Sequence, residues 1–211
     1  MVNNGKPKRI ITIERQFGSG GSVIGRLAAE RLGIGFYHRE IPEITAIHCG
    51  IPADVLIRAE GNAKTSILYS LLMAASPERS NSDDIPLSDK VFALESCVIR
   101  ELAKTEERFV LVGRCGNFIF EKSECLSVYI YATQEARLKR AVNSYGIAPD
   151  DAETLLKETD KRREDFFNSN TGRNWRHKEQ YDLCLNSAEL GDGLCAELIT
   201  HALRLPPMPS G

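Results

Sequence analysis

The chain has 211 residues, 42% of them hydrophobic, and its 27 lysines and arginines face 29 aspartates and glutamates for a formal charge of −2. That length suits one globular domain with a sizeable core, and the near-neutral balance excludes broad electrostatic capture of nucleic acid. The six cysteines (Cys49, Cys97, Cys115, Cys125, Cys184, Cys195) form no C-x-x-C pair, which speaks against a zinc site and fits a reducing cytoplasm.

The start, MVNNGKPKR, lacks the apolar run of a secretory signal and reads as a frayed tail over residues 1–8. A β-branched run at Ile10–Ile13 predicts a buried strand. Four small residues, Gly18 to Gly21, follow, and then a helical period over Ser22–Leu32. Ile24, Leu27, Ala28 and Leu32 share one face of it, and Gly33 is its stop. A second strand is expected at Gly35–His38.

Residues 40–105 break the rhythm, reading as a mainly helical insertion, with residues 42–75 either a helical cap on the sheet or a substrate-gripping subdomain. Its apolar stretch Ile67–Ala75 is too short to span a membrane, and Ser76–Pro86 is a polar loop. The pattern Val91, Leu94, Val98, Leu102 predicts a helix over Ser88–Lys104, with Ser88 as N-cap.

Strands are then expected at Phe109–Val112, Ser127–Ala132 and Asp182–Asn186. Thr133 is placed to cap a helix ending at Tyr145 before Gly146. Pro149 suits the first turn of a helix reaching about Asn168, and Leu190–Leu205 closes the chain before a proline-rich tail, 206–211. Cys97, Cys184 and Cys195 fall inside these elements and are expected to be buried as small hydrophobes. Strands alternating with helices imply an α/β fold: a five-stranded parallel sheet flanked by helices in a single domain over 1–211.

Strand, glycine turn and helix start together form a cradle of backbone N–H groups that favours phosphate. Three readings compete. A dinucleotide fingerprint requires G-x-G-x-x-G, but valine stands at the last glycine (Val23), and Glu40 is a partial match for the ribose acid. A plain strand-to-helix turn would bind nothing. A mononucleotide phosphate loop, G-x-x-x-x-G-K-[ST], fits best through Gly18, Ser19, Gly20 and Ser22, yet its lysine slot holds Gly21.

Around this loop the chain resembles the cytidylate kinase-like group of the nucleoside monophosphate kinases. Ile11-Thr12-Ile13-Glu14-Arg15-Gln16-Phe17-Gly18-Ser19-Gly20 aligns without a gap on the cytidylate kinase start I-T-I-D-G-P-S-G-S-G-K-G-T. In that register Arg15 replaces the first glycine, Gly21 the lysine, and Val23 the threonine near magnesium. A divergent branch carries R-Q-[YF]-G-S-G-G here, and its F-Y-D-K-E-L segment is similar to Phe36-Tyr37-His38-Arg39-Glu40-Ile41. Val112-Gly113-Arg114-Cys115 stands where the kinases have G-R-D. Asp160-Lys161-Arg162-Arg163, Thr171-Gly172-Arg173-Asn174-Trp175 and Tyr181–Asn186 resemble the branch's lid and last strand. The likeness covers nearly the whole chain.

The resemblance implies a P-loop NTPase-type sheet with a helical substrate insertion (about 40–105) and an arginine-bearing lid (about 147–180). It also implies ATP and Mg2+ as cofactors and a small phosphorylated or hydroxylated acceptor, CMP by default. Phosphoryl transfer needs positioning and positive charge more than covalent help. Arg114, at the carboxyl end of a predicted strand, is a candidate contact for the acceptor phosphate. Arg162, Arg163, Arg173 and Arg176, whose guanidinium forks suit phosphate, are candidates to restore part of the missing lysine's charge. Arg15, inside the loop, is the other substitute, and Asp160 is placed to orient one of these arginines.

His38, Arg39 and Glu40 are candidate substrate residues, while Ser22 and Glu14 are the candidates for magnesium. His48, His177 and His201 have no metal-ligand spacing, and Trp175 reads as a packed aromatic. The leading expectation is an ATP-dependent phosphotransferase, with no nucleic-acid or membrane partner and a homo-oligomer left open. A nucleotide-binding module that kept the fold and lost transfer is the alternative, and a nicotinamide dehydrogenase ranks below both. The direction of Arg15 separates the first two: into the loop for the kinase, into solvent for the module.

Overall fold

Ile10, Ile11 and Ile13 serve two apolar layers at once, which is why the first strand is an unbroken β-branched run. In the computed structural model, which describes residues 8–38, 40–50 and 87–204, this strand is the centre of the sheet. Five strands, β1 (Ile10–Arg15), β2 (Gly35–Tyr37), β3 (Phe109–Val112), β4 (Cys125–Tyr131) and β5 (Leu183–Asn186), are all parallel in the order β2-β3-β1-β4-β5. The helices are α1 (Gly21–Leu32), α2 (Glu40–Cys49), α3 (Leu87–Thr105), the one-turn α4 (Gly116–Ile119), α5 (Gln134–Tyr145), α6 (Pro149–Thr171) and α7 (Ser187–Arg204).

Side chains alternate across the sheet. Ile11 and Ile13 pack with Val110, Val112, Val128, Ile130 and the inner faces of α1 and α7. Ile10, Phe109 and Leu111 pack on the other side with Ile41, Ile99 and Ile119 of α2, α3 and α4. Parallel strands buried on both faces need apolar residues at nearly every position. Ile13 lies opposite Val112 on one side and Val128 on the other.

This strand order places the site. The connection from β1 leaves through α1 toward β2, and the one from β3 leaves through α4 on the opposite face toward β4. The two diverge at the carboxyl ends of β1 and β3, the crevice where open α/β sheets bind ligands.

The predicted fold class and element order stand. Thr133 caps α5 by accepting from the Ala136 N–H at 3.3 Å, and Gly33 and Gly146 end their helices in the left-handed region. Several bounds differ. β1 runs on through Glu14 and Arg15, whose charged side chains find partners at the end of the sheet. α3 begins at Leu87, which puts Ser88 in its first turn rather than at the cap. α7 begins at Ser187 instead of Leu190, with a break at Gly191 (φ 72°).

Two cysteines correct the reading from sequence: Cys195 is buried, but Cys97 and Cys184 are exposed. Cys97 falls on the outer face of α3, between the buried Glu95 and Val98, and Cys184 points away from the buried Leu185 on the edge strand β5. Arg39, the stretch Ile67–Ala75, the polar insert Ser76–Pro86, most of the predicted insertion and the C-terminal tail lie outside the described residues.

Replacing Ile13 with alanine opens a cavity between sheet and α1. The expected loss is about 2–5 kcal/mol of unfolding free energy, read from the midpoint of a urea melt.

Candidate phosphate-binding site

The glycine loop fills the gap between β1 and α1. Gln16 prolongs the β1–β4 ladder, its N–H donating to the Ile130 carbonyl at 3.0 Å. The chain then turns through Gly18 (φ 78°) and Gly20 (φ 79°), left-handed conformations that disfavour a side chain. Ser19 is fully buried, donates through Oγ to the Gln16 carbonyl at 2.8 Å, and accepts at its own carbonyl from Ser187 Oγ at 2.6 Å. Gly20 is the N-cap of α1 and supplies no side-chain cap. The leading N–H groups of the helix are therefore left for another acceptor.

A buried ion pair fixes this turn from behind. Arg137 of α5 and Asp160 of α6 bind each other and share one residue of the loop. Asp160 Oδ1 accepts from the Phe17 N–H at 2.7 Å, and Arg137 Nε donates to the Phe17 carbonyl at 2.7 Å. Asp160 thus pairs with Arg137, not with Arg162 or Arg163, and is 5% exposed. A second arginine of the same helix, Arg140, lies over Gly20, where a Cβ would fall 1.6 Å from its Nη1, and pairs with Asp192 at 2.8 Å.

In front of the loop is a cavity of about 580 Å³. Gly18, Gly20, Gly21 and Ser22 line one wall, Phe17 and Tyr145 an aromatic wall, and Arg15, Arg163, His38 and Glu40 the polar remainder. The Arg15 stem lies on Gly21, and its Nη2 donates to His38 Nε2 at 3.0 Å. Arginine only donates, so this His38 nitrogen carries no proton. Glu40 Oε2 accepts from the His38 N–H at 2.7 Å.

Arg163 Nη1 donates to the Arg15 carbonyl at 3.0 Å. Burial and then the Arg15 charge push its guanidinium down to about 9, which leaves it cationic at neutral pH. No carboxylate ion-pairs with Arg163 among the described residues.

The remaining predicted residues do not line this cavity. Glu14 is buried and accepts from Trp175 Nε1 at 3.0 Å, within a cluster of Cys115, Tyr129, Phe167 and Tyr181. Arg114 (φ 62°) donates to Glu95 Oε1 at 2.9 Å, and Glu95 is fully buried on α3. Arg162 is exposed and donates to Thr159 Oγ1 at 3.1 Å, while Arg173 stacks over Phe118 at 5.1 Å. Cys115, at the position of the kinase acid, has its thiol pushed well up by burial and by Glu14 and Glu95, so it stays protonated and is no ready metal ligand. Among the described residues no group of three or more His, Cys, Asp or Glu side chains could hold a metal. Ser22 is the predicted metal ligand that does line the cavity.

Arg137 and Arg140 were not legible as site residues. Their helix was predicted, but nothing in its sequence says that its arginines meet the loop rather than solvent. The one available signal was their i, i+3 spacing, which puts both on one face.

Two substitutions separate structural from surface arginines. Arg114→Ala takes the cation from a buried carboxylate and is expected to cost about 3–5 kcal/mol of stability. Arg162→Ala is expected to stay within about 0.5 kcal/mol, both read by denaturant melts. Asp160→Asn weakens the clamp, so hydrogen exchange at the Phe17 amide should rise by about tenfold or more.

The fold recurs in solved structures. An uncharacterized protein from Eubacterium ventriosum ATCC 27560 superposes with TM-score 0.66 at 22% identity, over 93% of this chain and 98% of that one. Shikimate kinase from Bacteroides thetaiotaomicron matches at TM-score 0.53 and 14% identity, over 93% of this chain and 99% of that one. Shikimate kinase from Acinetobacter baumannii, in complex with shikimate, matches at 0.51 and 15%, over 93% of each. No match is found among curated proteins. The sequence model of the Cytidylate kinase-like family matches residues 10–189, which include the glycine turn and the arginines around it, and the chain belongs to that family.

Proposed function

We propose that this chain is an ATP-dependent phosphotransferase that moves the γ-phosphate to a nucleoside monophosphate or another small phosphorylated or hydroxylated acceptor. One observation carries the reading: the helix-start N–H groups of the glycine loop open on the same cavity as Arg15 and Arg163. Transfer of a phosphoryl group asks for that arrangement, fixed donors and positive charge around oxygens that gain charge in the transition state.

In this reading the backbone of Gly18, Ser19, Gly20 and Gly21 and the Ser22 hydroxyl hold the ATP phosphates. Magnesium, when bound, neutralises charge between those phosphates. The Ser22 hydroxyl suits it, since the ion keeps several waters and needs few protein ligands. Glu14, which serves Trp175, does not. His38 and Glu40, with Arg39 beside them in sequence, face the acceptor, while Arg163 reaches the transferred group.

The alternative, a nucleotide-binding module without turnover, rests on glycine in the lysine slot. Arg15 lies on the loop and lines the cavity rather than extending into solvent, which favours the enzyme. The test is titration with ATP, GTP and a panel of nucleoside monophosphates, following both binding and ADP release. Acceptor-dependent ADP release is expected; tight ATP binding with no turnover on any acceptor would leave only the binding module.

A further inference from the structure

A phosphate-loop lysine leaves the first turn of the helix and reaches back over the loop to the terminal phosphates. In this chain that route is occupied. A Cβ on Gly21 would lie 2.5 Å from Arg15 Cβ and 2.8 Å from its Cγ, closer than such atoms approach. Positions 15 and 21 therefore cannot both carry side chains in this arrangement. Here the side chain comes from the strand, and the helix position is bare.

The head of Arg15 needs a second clearance. A Cβ on Gly113 would lie 2.5 Å from Arg15 Nη1. Gly113 follows β3, has φ 80°, and donates its N–H to the Ile13 carbonyl at 2.8 Å, which continues the β1–β3 pairing beneath the Arg15 side chain. His38 Nε2 lies 3.0 Å from Nη2 and steers the guanidinium. Arg163 approaches the Arg15 carbonyl, which brings a second guanidinium to the same cavity.

We propose that Arg15 supplies, from the end of β1, the phosphate-binding cation that a loop lysine supplies from the helix, and that Gly21 and Gly113 are the two residues that seat it. The assignment rests on the phosphotransfer reading and names the cation of that site. It makes the absence of lysine a relocation of charge. A guanidinium also presents a planar fork to phosphate oxygens, so lysine is no conservative replacement.

The test measures ATP affinity by calorimetry and ADP release with the acceptor panel. The proteins are the unaltered chain, Arg15→Ala, Arg15→Lys, Gly21→Ala, and Arg15→Gly alone and combined with Gly21→Lys, each checked by thermal melt. Arg15→Ala is expected to weaken ATP binding about tenfold to a hundredfold and to slow turnover by about 10²–10³. Gly21→Ala removes no functional group, yet it should lose affinity because its new Cβ displaces Arg15. Gly21→Lys should recover in the Arg15→Gly background what it cannot provide beside Arg15. Millimolar guanidinium should restore turnover to Arg15→Ala, an effect a merely structural arginine would not show.

Arg15→Ala that binds ATP as tightly as the unaltered chain overturns the assignment, and unchanged affinity in Gly21→Ala overturns the seating. If ATP binding depends on Arg15 but no acceptor is phosphorylated, the cation stands and the phosphotransfer reading falls. If the unaltered chain binds no ATP, both fall.

Discussion

A single peptide segment at Phe17 is gripped at both its N–H and its carbonyl by one buried ion pair, Arg137–Asp160. Burying two charges is costly, and their attraction offsets the cost only when the remaining donors and acceptors are also satisfied. Phe17 satisfies one of each. The pair belongs to α5 and α6, far along the chain from the loop it holds. The glycine turn is therefore not a local structure: its shape is imposed by two helices that meet only when the domain is folded. A loop with four small residues in succession would otherwise have many conformations, and ordering it carries a large entropic cost.

The same logic sorts the arginines. Arg137 and Arg114 are each committed to a buried carboxylate, Asp160 and Glu95, and their charge is used inside the protein. Arg140 is half-committed, pairing with Asp192 while it lies over Gly20. Arg15 and Arg163 line the same cavity, where Arg15 contacts His38 and Arg163 donates to the Arg15 carbonyl. Two guanidiniums held near each other raise the local potential for an anion, and the Arg15 charge adds to burial in lowering the affinity of Arg163 for its proton. Two cations, one from β1 and one from α6, thus line the cavity in front of a loop whose lysine slot holds Gly21.

The fold was largely legible. Parallel strands buried on both faces must be apolar throughout, so Ile10–Ile13 and Phe109–Val112 stood out from their surroundings. Caps such as Thr133 and Gly146 act over three or four residues and could be read directly. Misreadings arose where membership of an element was taken for burial. Cys97 and Cys184 lie in a helix and a strand as expected, but each is on the outer side, and only the periodicity around them decides that. The β-branched run ends at Ile13, whereas β1 continues through the charged Glu14 and Arg15, whose partners Trp175 and His38 are not near them in sequence.

By itself the sequence determined the α/β order of elements, the presence of a glycine-rich strand-to-helix connection at Gly18–Ser22 and the missing lysine, because each is written in residues adjacent in the chain; the shape of that connection is not. It also named Arg15 and Arg163 among several candidate cations. Only the tertiary structure shows which of them line the cavity. Arg114, Arg162 and Arg173 looked equally suited to phosphate, yet they pair with Glu95, contact Thr159 or stack on Phe118, while Arg15 passes over Gly21 into the crevice. The reason is physical: an arginine's role is set by whichever partner its long side chain reaches. Those partners are brought within reach by strand order and helix packing, which no local pattern of residues encodes.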